Sequence, residues 1–341
     1  MAIGDAHAGR NMYVGVAIQN GFAEAAGSGG TSVTYYEPDE VRGGIQEFTE
    51  IASNRRMNTR FRGAGYIGTQ SVPFGMTVEL NPMNAGTLLA LVMGTESLTV
   101  LVTAQSATHK FYPAENLRYG TIWLYSAGAA DNSATDNEHK IINFKVTRAS
   151  IEGGIDDVVR LSIDGIGTDH SAVAATSPSF TNVRPFFLNS VEGLGTLSIG
   201  SAIGSVSQFD ECRRMRMEID NAVSPDQRID NDASAASIRE GDSSITGMFD
   251  CIYNGNTYAE IDAFTLGSDR AFTLSVNSTT AFYTSEVYNC TLGMEQARYN
   301  GANPSWDPDL LSIELPYIGE LASSAAVYIQ ITNSDVVTYT Y

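Results

Sequence analysis

Lys140-Ile-Ile-Asn-Phe-Lys-Val-Thr-Arg148 decides the fold class. Ile142, Phe144 and Val146 fall on one side of an extended chain and Asn143, Lys145 and Thr147 on the other, the period of two that marks a half-buried strand. Downstream, Val159, Leu161 and Ile163 alternate with Arg160, Ser162 and Asp164; Arg213, Met215, Met217 and Ile219 alternate with Arg214, Arg216 and Glu218. Gly, Asn and Asp punctuate the intervals, as tight turns require. A mainly β chain is expected.

Helical spacing stands out twice. Asn84 can cap a segment carrying Leu88, Leu89, Leu91 and Val92 that stops at Gly94; Asn256 or Thr257 can cap a second, with Ile261, Phe264 and Leu266, that stops at Gly267. Their matching positions prompt a search for an internal repeat. Phe74-Gly-Met-Thr-Val-Glu-Leu-Asn lines up with Thr246-Gly-Met-Phe-Asp-Cys-Ile-Tyr at an offset of 172 residues, and the stop glycines at 173. Arg148 to Asp164 lines up with Arg298 to Glu314 at an offset of 150, with Leu-Ser-Ile shared. Each copy reads as strand, long polar loop, strand, short helix and closing hairpin. The expected division is a first module with an N-terminal extension over 1–170, a joining segment over 171–207 and a second module over 208–341.

Length agrees, since 341 residues exceed the roughly 150 typical of one domain. A net charge of −19 argues against a surface that grips nucleic acid, which needs Lys and Arg to neutralise phosphates. Cys212, Cys251 and Cys290 are widely spaced and odd in number, so they read as small buried thiols of a reducing compartment. The opening residues lack a basic region followed by an apolar stretch, and no run of about 18 apolar residues exists, so neither a secretory signal nor a membrane-spanning helix is expected.

Chemical motifs are absent or out of context. Gly63-Ala-Gly65-Tyr-Ile-Gly68 satisfies GxGxxG, but Arg60-Phe-Arg62 precedes it and Thr69-Gln-Ser-Val-Pro73 follows, where a dinucleotide site needs an apolar strand and a helix. His7, His109, His139 and His170 have no metal-ligand spacing, and Asp226, Asp230 and Asp232 lack the terminal Glu of a calcium loop. No serine sits in a GxSxG elbow. No catalytic, metal or cofactor site is expected, and no cofactor. The stretch containing Arg55, Arg56, Arg60 and Arg62 is instead expected to meet an acidic partner surface, and the loop containing Asp226, Arg228, Asp230 and Asp232 is an available one.

The opening Tyr13-Val-Gly-Val-Ala-Ile-Gln-Asn-Gly-Phe-Ala-Glu-Ala-Ala-Gly, the run Ile238-Arg-Glu-Gly-Asp-Ser-Ser-Ile-Thr-Gly-Met-Phe-Asp and the repeated strand, helix and hairpin order make the chain resemble the tail tube proteins of long-tailed bacteriophages, in the form with two tube modules per chain. The resemblance implies two tandem β-barrel or sandwich modules, each with a short flanking helix, whose sheets join those of neighbours around a lumen. Three chains would supply six modules, a trimeric ring with pseudo-sixfold symmetry. Loops would hold stacked rings together, with Arg55, Arg56, Arg60, Arg62, Asp226, Arg228, Asp230 and Asp232 as candidates. It also implies a place in the virion tail after assembly in the host cytoplasm. The implied partners are the tape measure protein, the tail terminator and distal tail or baseplate proteins, with DNA passing through without specific binding and no membrane insertion. An acidic lining repels phosphates, and Glu47, Asp164, Glu218 and Glu314 are the candidate lumen-facing acids; acidity alone also serves solubility. A β-rich phage fibre, adhesion or other surface-binding protein is the alternative.

Overall fold

The fold is described from a computed structural model, which covers residues 12–19, 21–22, 33–45, 47–51, 66–103, 105–126, 138–173, 180, 183–191, 193–228, 234–283, 286–306, 311–320 and 326–339. The chain is mainly β, as the alternation requires, and all strands but one small hairpin join a single hydrogen-bonded network.

Eight strands form a long antiparallel sheet. Its order is Glu40–Gly43, Tyr66–Glu79, Arg160–Gly167, Glu138–Gly154, Cys212–Asp220, Ser244–Ile252, Leu311–Gly319 and Glu286–Tyr299, the last continued by Asn303–Trp306. The first four strands belong to the N-terminal half and the last four to the C-terminal half. Each set runs in the same order: edge strand, strand before the helix, second arm of the closing hairpin, first arm. Each half also has a shorter sheet. Met12–Ile18, Gly120–Ser126, the beginning of Glu138–Gly154 and Asp169–Val173 make one; Gly193–Gly200, Arg270–Tyr283, Glu286–Tyr299 and Val327–Asn333 make the other.

The strand order repeats but the residue register does not. Arg148 stands opposite Asp164, whereas Arg298 stands opposite Ile318, four residues beyond Glu314. Gly75 stands opposite Asp164 and Gly247 opposite Tyr317, so the Gly-Met match does not mark equivalent places. The interruption between Tyr299 and Asn303 and the bulge at Asp164/Gly165 shift the pairing locally. Gly193–Gly200, inside the expected joining segment, is a strand of the second half, and Phe186 is buried, its backbone bonded to Leu80 and Val159.

The deciding stretch is buried on both faces, not one. Ile141, Phe144 and Val146 are buried, and so are Asn143 and Lys145. Asn143 takes φ 53°, which breaks the alternation where the strand passes from the short sheet into the long one. Its N–H donates to Gln19 Oε1 at 3.0 Å and its amide to Thr168 Oγ1 at 2.8 Å, which satisfies the buried polar groups. The other two patterns hold: Val159, Leu161, Ile163, Met215, Met217 and Ile219 are buried. Arg213 alone leaves its expected face, displaced by a bulge between Cys212 and Arg214.

The helices differ. α1, Ala85–Met93, is buried at every residue, as a helix apolar all round must be. Its cap Asn84 makes no side-chain cap bond; Tyr36 Oη donates to the Asn84 carbonyl at 2.6 Å instead. α2, Gly255–Thr265, buries only Thr257, Glu260 and Ala263. Its cap is Asn254, two residues before the nearer expected candidate, in a reciprocal capping box with Thr257. Gly94 and Gly267 have φ 89° and 63°, the left-handed conformation that ends helices on glycine.

Between α1 and Gly120, the hairpin Gly94–Val102 and Ser106–Pro113 reaches across to the second half. Ser106–Pro113 pairs with the C-terminal strand Val327–Asn333, so this insertion extends the second short sheet. Cys251 and Cys290 are buried thiols, but Cys212 is half-buried; all three are free.

Candidate functional site

The long sheet has one face on the core and one open, because its strands alternate. Four rows of directly opposed residues cross the open face. The first is Arg42, Gly75, Asp164, Arg148, Asp220 and Ser244. The second is Glu40, Thr77, Ser162, Ser150, Glu218, Thr246, Ile318 and Arg298. The third is Glu79, Arg160, Glu152, Arg216, Met248 and Pro316; the fourth is Gly154, Arg214, Asp250, Glu314 and Asn303.

Charges of opposite sign sit side by side along these rows. Arg42 bonds Asp164 at 2.9 Å, Arg148 bonds Asp220 at 3.3 Å, Arg214 approaches Glu152 at 3.6 Å, and Arg216 pairs with Glu218. Arg160 holds Asp157 at 2.8 Å and Asp39 at 3.2 Å. Exposed pairs of this kind contribute about 0–1 kcal/mol each. Their effect is on the field above the sheet: eight carboxylates face six arginines across the four rows, so little of the −19 charge is concentrated there. A Cβ at Gly75 would stand 2.1 Å from Asp164 Oδ1, so a larger residue there would displace that carboxylate from Arg42.

Of the candidate acids, Asp164, Glu218 and Glu314 lie on this open face, the first two each bonded to an arginine. Glu47 is exposed but stands apart, opposite Ser71 on an arm outside the four rows. Arg55, Arg56, Arg60, Arg62, Asp230 and Asp232 lie outside the described residues, as does the first half of the GxGxxG stretch, 63–65. Asp226 accepts from Arg228 at 2.7 Å and Arg239 at 2.8 Å, within its own hairpin. The base of the Arg-rich loop does touch the second loop, through amides: Gln70 Nε2 donates to Ser234 Oγ, and Gln227 Nε2 to the Gln70 carbonyl.

The joint between the halves is the second feature. Arg148 to Gly154 pairs antiparallel with Arg214 to Asp220, so the last strand of one set meets the first of the next. The segment after this strand then folds onto the first half. Val223 joins Leu117 and Ile238 in a small apolar cluster covered by Tyr119. Lys145, 4% exposed, pairs with Glu240, donates to the Ile238 carbonyl at 3.3 Å and lies 4.0 Å from the Tyr119 ring centre. Glu240 also accepts the Leu117 N–H at 3.0 Å. Asn221 Nδ2 donates to the carbonyls of Val92 and Val146 at 3.1 and 3.2 Å.

At the two ends of the long sheet the same kinds of strand stand open. Among the described residues, Glu40–Gly43 has a ladder partner on one side only, and so does the arm from Arg298 to Trp306. Exposed edges are templates for pairing with another chain.

Sequence reasoning missed two histidine arrangements. The side chains of His109 and Glu96 are fully buried, with Nδ1 to Oε1 2.6 Å and Nε2 to the Asp335 carbonyl 2.8 Å; Glu96 Oε2 also accepts the Tyr339 N–H at 2.7 Å. His139 and His170 stack on neighbouring strands with ring nitrogens 2.8 Å apart; burial and His170 hold the His139 pKa below its usual value. The partners lie 13, 226 and 31 positions apart in sequence, so only hindsight from the sheet register connects them. Among the described residues, no helix is long and apolar enough to cross a membrane, and no three His, Cys, Asp or Glu gather to hold a metal.

No curated protein matches the chain. The family described as phage tail tube protein matches residues 9–319, nearly the whole length. The chain belongs to the phage tail tube protein family, and is a structural component of the phage tail.

Proposed function

We propose that three copies of the chain close into a ring through their open strand edges, and that rings stack into the hollow tail tube through which DNA leaves the virion. The observation that carries this reading is the joint between the halves. It is head-to-tail, last strand to first strand, and among the described residues the outer strands of the long sheet, Glu40–Gly43 at one end and the arm from Arg298 to Trp306 at the other, are each paired on one side only. A heterologous contact of this kind generates a ring when the rotation closes. With two copies of one module in each chain, three chains supply six modules and a pseudo-sixfold ring.

The open face of the long sheet becomes the lumen wall. Its arginines are each committed to a carboxylate, and hydroxyls fill the second row, where Thr77 and Ser162 bond at 2.8 Å. Along the four rows each arginine has a carboxylate partner, which leaves phosphates little free cation to hold, so DNA slides past without specific binding. This refines the expectation of a bare acidic lining: non-adhesion comes from pairing more than from net repulsion. Loops of one ring reach the next, and the tube meets the tape measure, terminator and distal tail or baseplate proteins at its interior and ends, after assembly in the host cytoplasm. The chain has no catalytic role.

Electron microscopy of the purified chain tests this through the symmetry of its assemblies. Threefold rings or tubes with a pseudo-sixfold wall are expected. Strict sixfold rings of six chains, or uniform monomers at high concentration, would overturn it.

A further inference from the structure

The inner joint has a side-chain key. Leaving the strand Cys212–Asp220, the chain turns through Ala222, at φ 47°, and inserts Val223 beside Leu117 at the first half. Val223 is 6% exposed and Leu117 7%. Leu117 stands three residues before the strand Gly120–Ser126 and close to the end of α1, because the Ala114 N–H bonds the Met93 carbonyl at 2.7 Å and pinches off the intervening hairpin.

The same two pieces recur, separated, at the outer ends. Leaving the strand Glu40–Gly43, the chain turns through Gly44, at φ 88°, directly into Ile45, which is 73% exposed. At the other end Leu266 caps α2, four residues before the strand Arg270–Tyr283, and is 79% exposed. Arg270–Tyr283 holds the same place in the second short sheet as Gly120–Ser126 in the first. Beside Leu266, Phe264 and Tyr258 are also exposed on α2, whereas no residue of α1 is. The second half thus lacks a cover at the place where the first half has Val223, and the first half presents a bare β-branched residue where the second half supplies that cover. Isolated exposed apolar residues need no explanation, but a key and its seat both left open at matching positions do.

We infer that Ile45 of a second copy of this chain seats on Leu266 and Phe264 at the end of α2, as Val223 seats on Leu117 within one chain. The inference rests on the ring reading for the existence of a chain-to-chain joint, and adds the residues that lock it. Gly44 supports the role, because a left-handed residue directly ahead of the key turns the chain out of the edge strand, as Ala222 does. The contact gives the open edges a specific register: an edge strand alone can slip, whereas an apolar side chain in one seat fixes which copy of the repeat faces which.

The test joins the two residues covalently in the full-length chain. Ile45→Cys and Leu266→Cys are combined in a Cys212→Ser background and treated with a short bismaleimide, with each single variant alongside and electron microscopy of the same samples. A ladder ending at a closed trimer in the double variant, and no ladder in either single variant, is expected. Rings without crosslinking in the double variant would overturn the contact and leave the ring reading standing; no rings in the parent chain together with no crosslinks in the double variant would overturn both. As a second measurement, Ile45→Asp and Leu266→Asp should each raise the concentration needed for assembly at least about tenfold. Their melting as unassembled chains should stay as in the parent, since both side chains are exposed there. Unchanged assembly in both Asp variants would sink the inference.

Discussion

Removing the charge of Glu96 tests how the C-terminal segment is held. His109 presents both ring nitrogens to acceptors, Glu96 Oε1 at 2.6 Å and the Asp335 carbonyl at 2.8 Å, and the Tyr339 N–H bonds the other Glu96 oxygen at 2.7 Å. Both ring nitrogens can donate only in the imidazolium form. Burial opposes that charge, but the Glu96 hydrogen bond, the Asp335 carbonyl and the carboxylate charges outweigh it and raise the His109 pKa above its usual value. The Tyr339 ring lies 4.8 Å from the His109 ring and directly over Gly86 of α1, so the pair pins residues 333–339 across the buried helix. In Glu96→Gln the imidazolium loses its counter-charge in a fully buried place. Breaking one side of such a pair costs about 3–5 kcal/mol, which lowers the melting midpoint of a chain of this size by roughly 10 °C. The pH dependence has a defined sign. A raised folded pKa gives stabilisation that is complete below the unfolded value of about 6.5 and is lost as pH rises through the folded value, at up to about 1.4 kcal/mol per pH unit. Melting midpoints from pH 5 to 10, with hydrogen exchange of the C-terminal peptide, read both effects. The parent should lose stability on the alkaline side and Glu96→Gln should lose that part of the slope. A parent that gains stability across the alkaline limb, or a variant with an unchanged midpoint and slope, would refute the imidazolium clamp.

Lys145→Met should strand Glu240 and the Ile238 carbonyl inside the joint; a loss of about 3–5 kcal/mol and faster hydrogen exchange confined first to residues 221–241 are expected. Gly94→Ala places a Cβ at φ 89° and 2.7 Å from Ala114 Cβ, so a cost of more than about 1 kcal/mol should show in denaturant melts. Iodoacetamide labelling followed by peptide mass spectrometry should modify half-buried Cys212 first; burial pushes the Cys290 thiol up to about 12, and the Cys212 hydrogen bond together with burial raises that of Cys251. Replacing Glu152 and Asp220 by their amides releases Arg214 and Arg148 on the open face. Duplex DNA anisotropy with assembled tubes should then report salt-sensitive binding that the parent lacks.

Local periodicity made the strands around Leu161 and Met217 legible, because a period of two follows from the backbone alone. It failed around Asn143 and Lys145 for a physical reason. A lysine alternating with apolar residues reads as solvent-facing, and its burial is made tolerable by Glu240, 95 positions away, together with the Ile238 carbonyl and the Tyr119 ring. The matched helices were visible in sequence, yet their opposite burial was not, since it depends on what lies across them. Short identities such as Gly-Met misled at the residue level, because bulges move register without changing strand order.

What the sequence by itself determined is the β class, the two helices with their glycine stops, the family and the excess of acid. Each is a local or compositional property of the chain. The tertiary structure alone decided that Asp164, Asp220, Glu152 and Glu218 on the open face are each paired with an arginine, that the hairpin after α1 extends the other half's sheet, and that Val223 is covered while Ile45 and Leu266 stand exposed. Those depend on which strands lie side by side, and pairing between residues a hundred or more positions apart is settled by burial and hydrogen bonding over the whole fold.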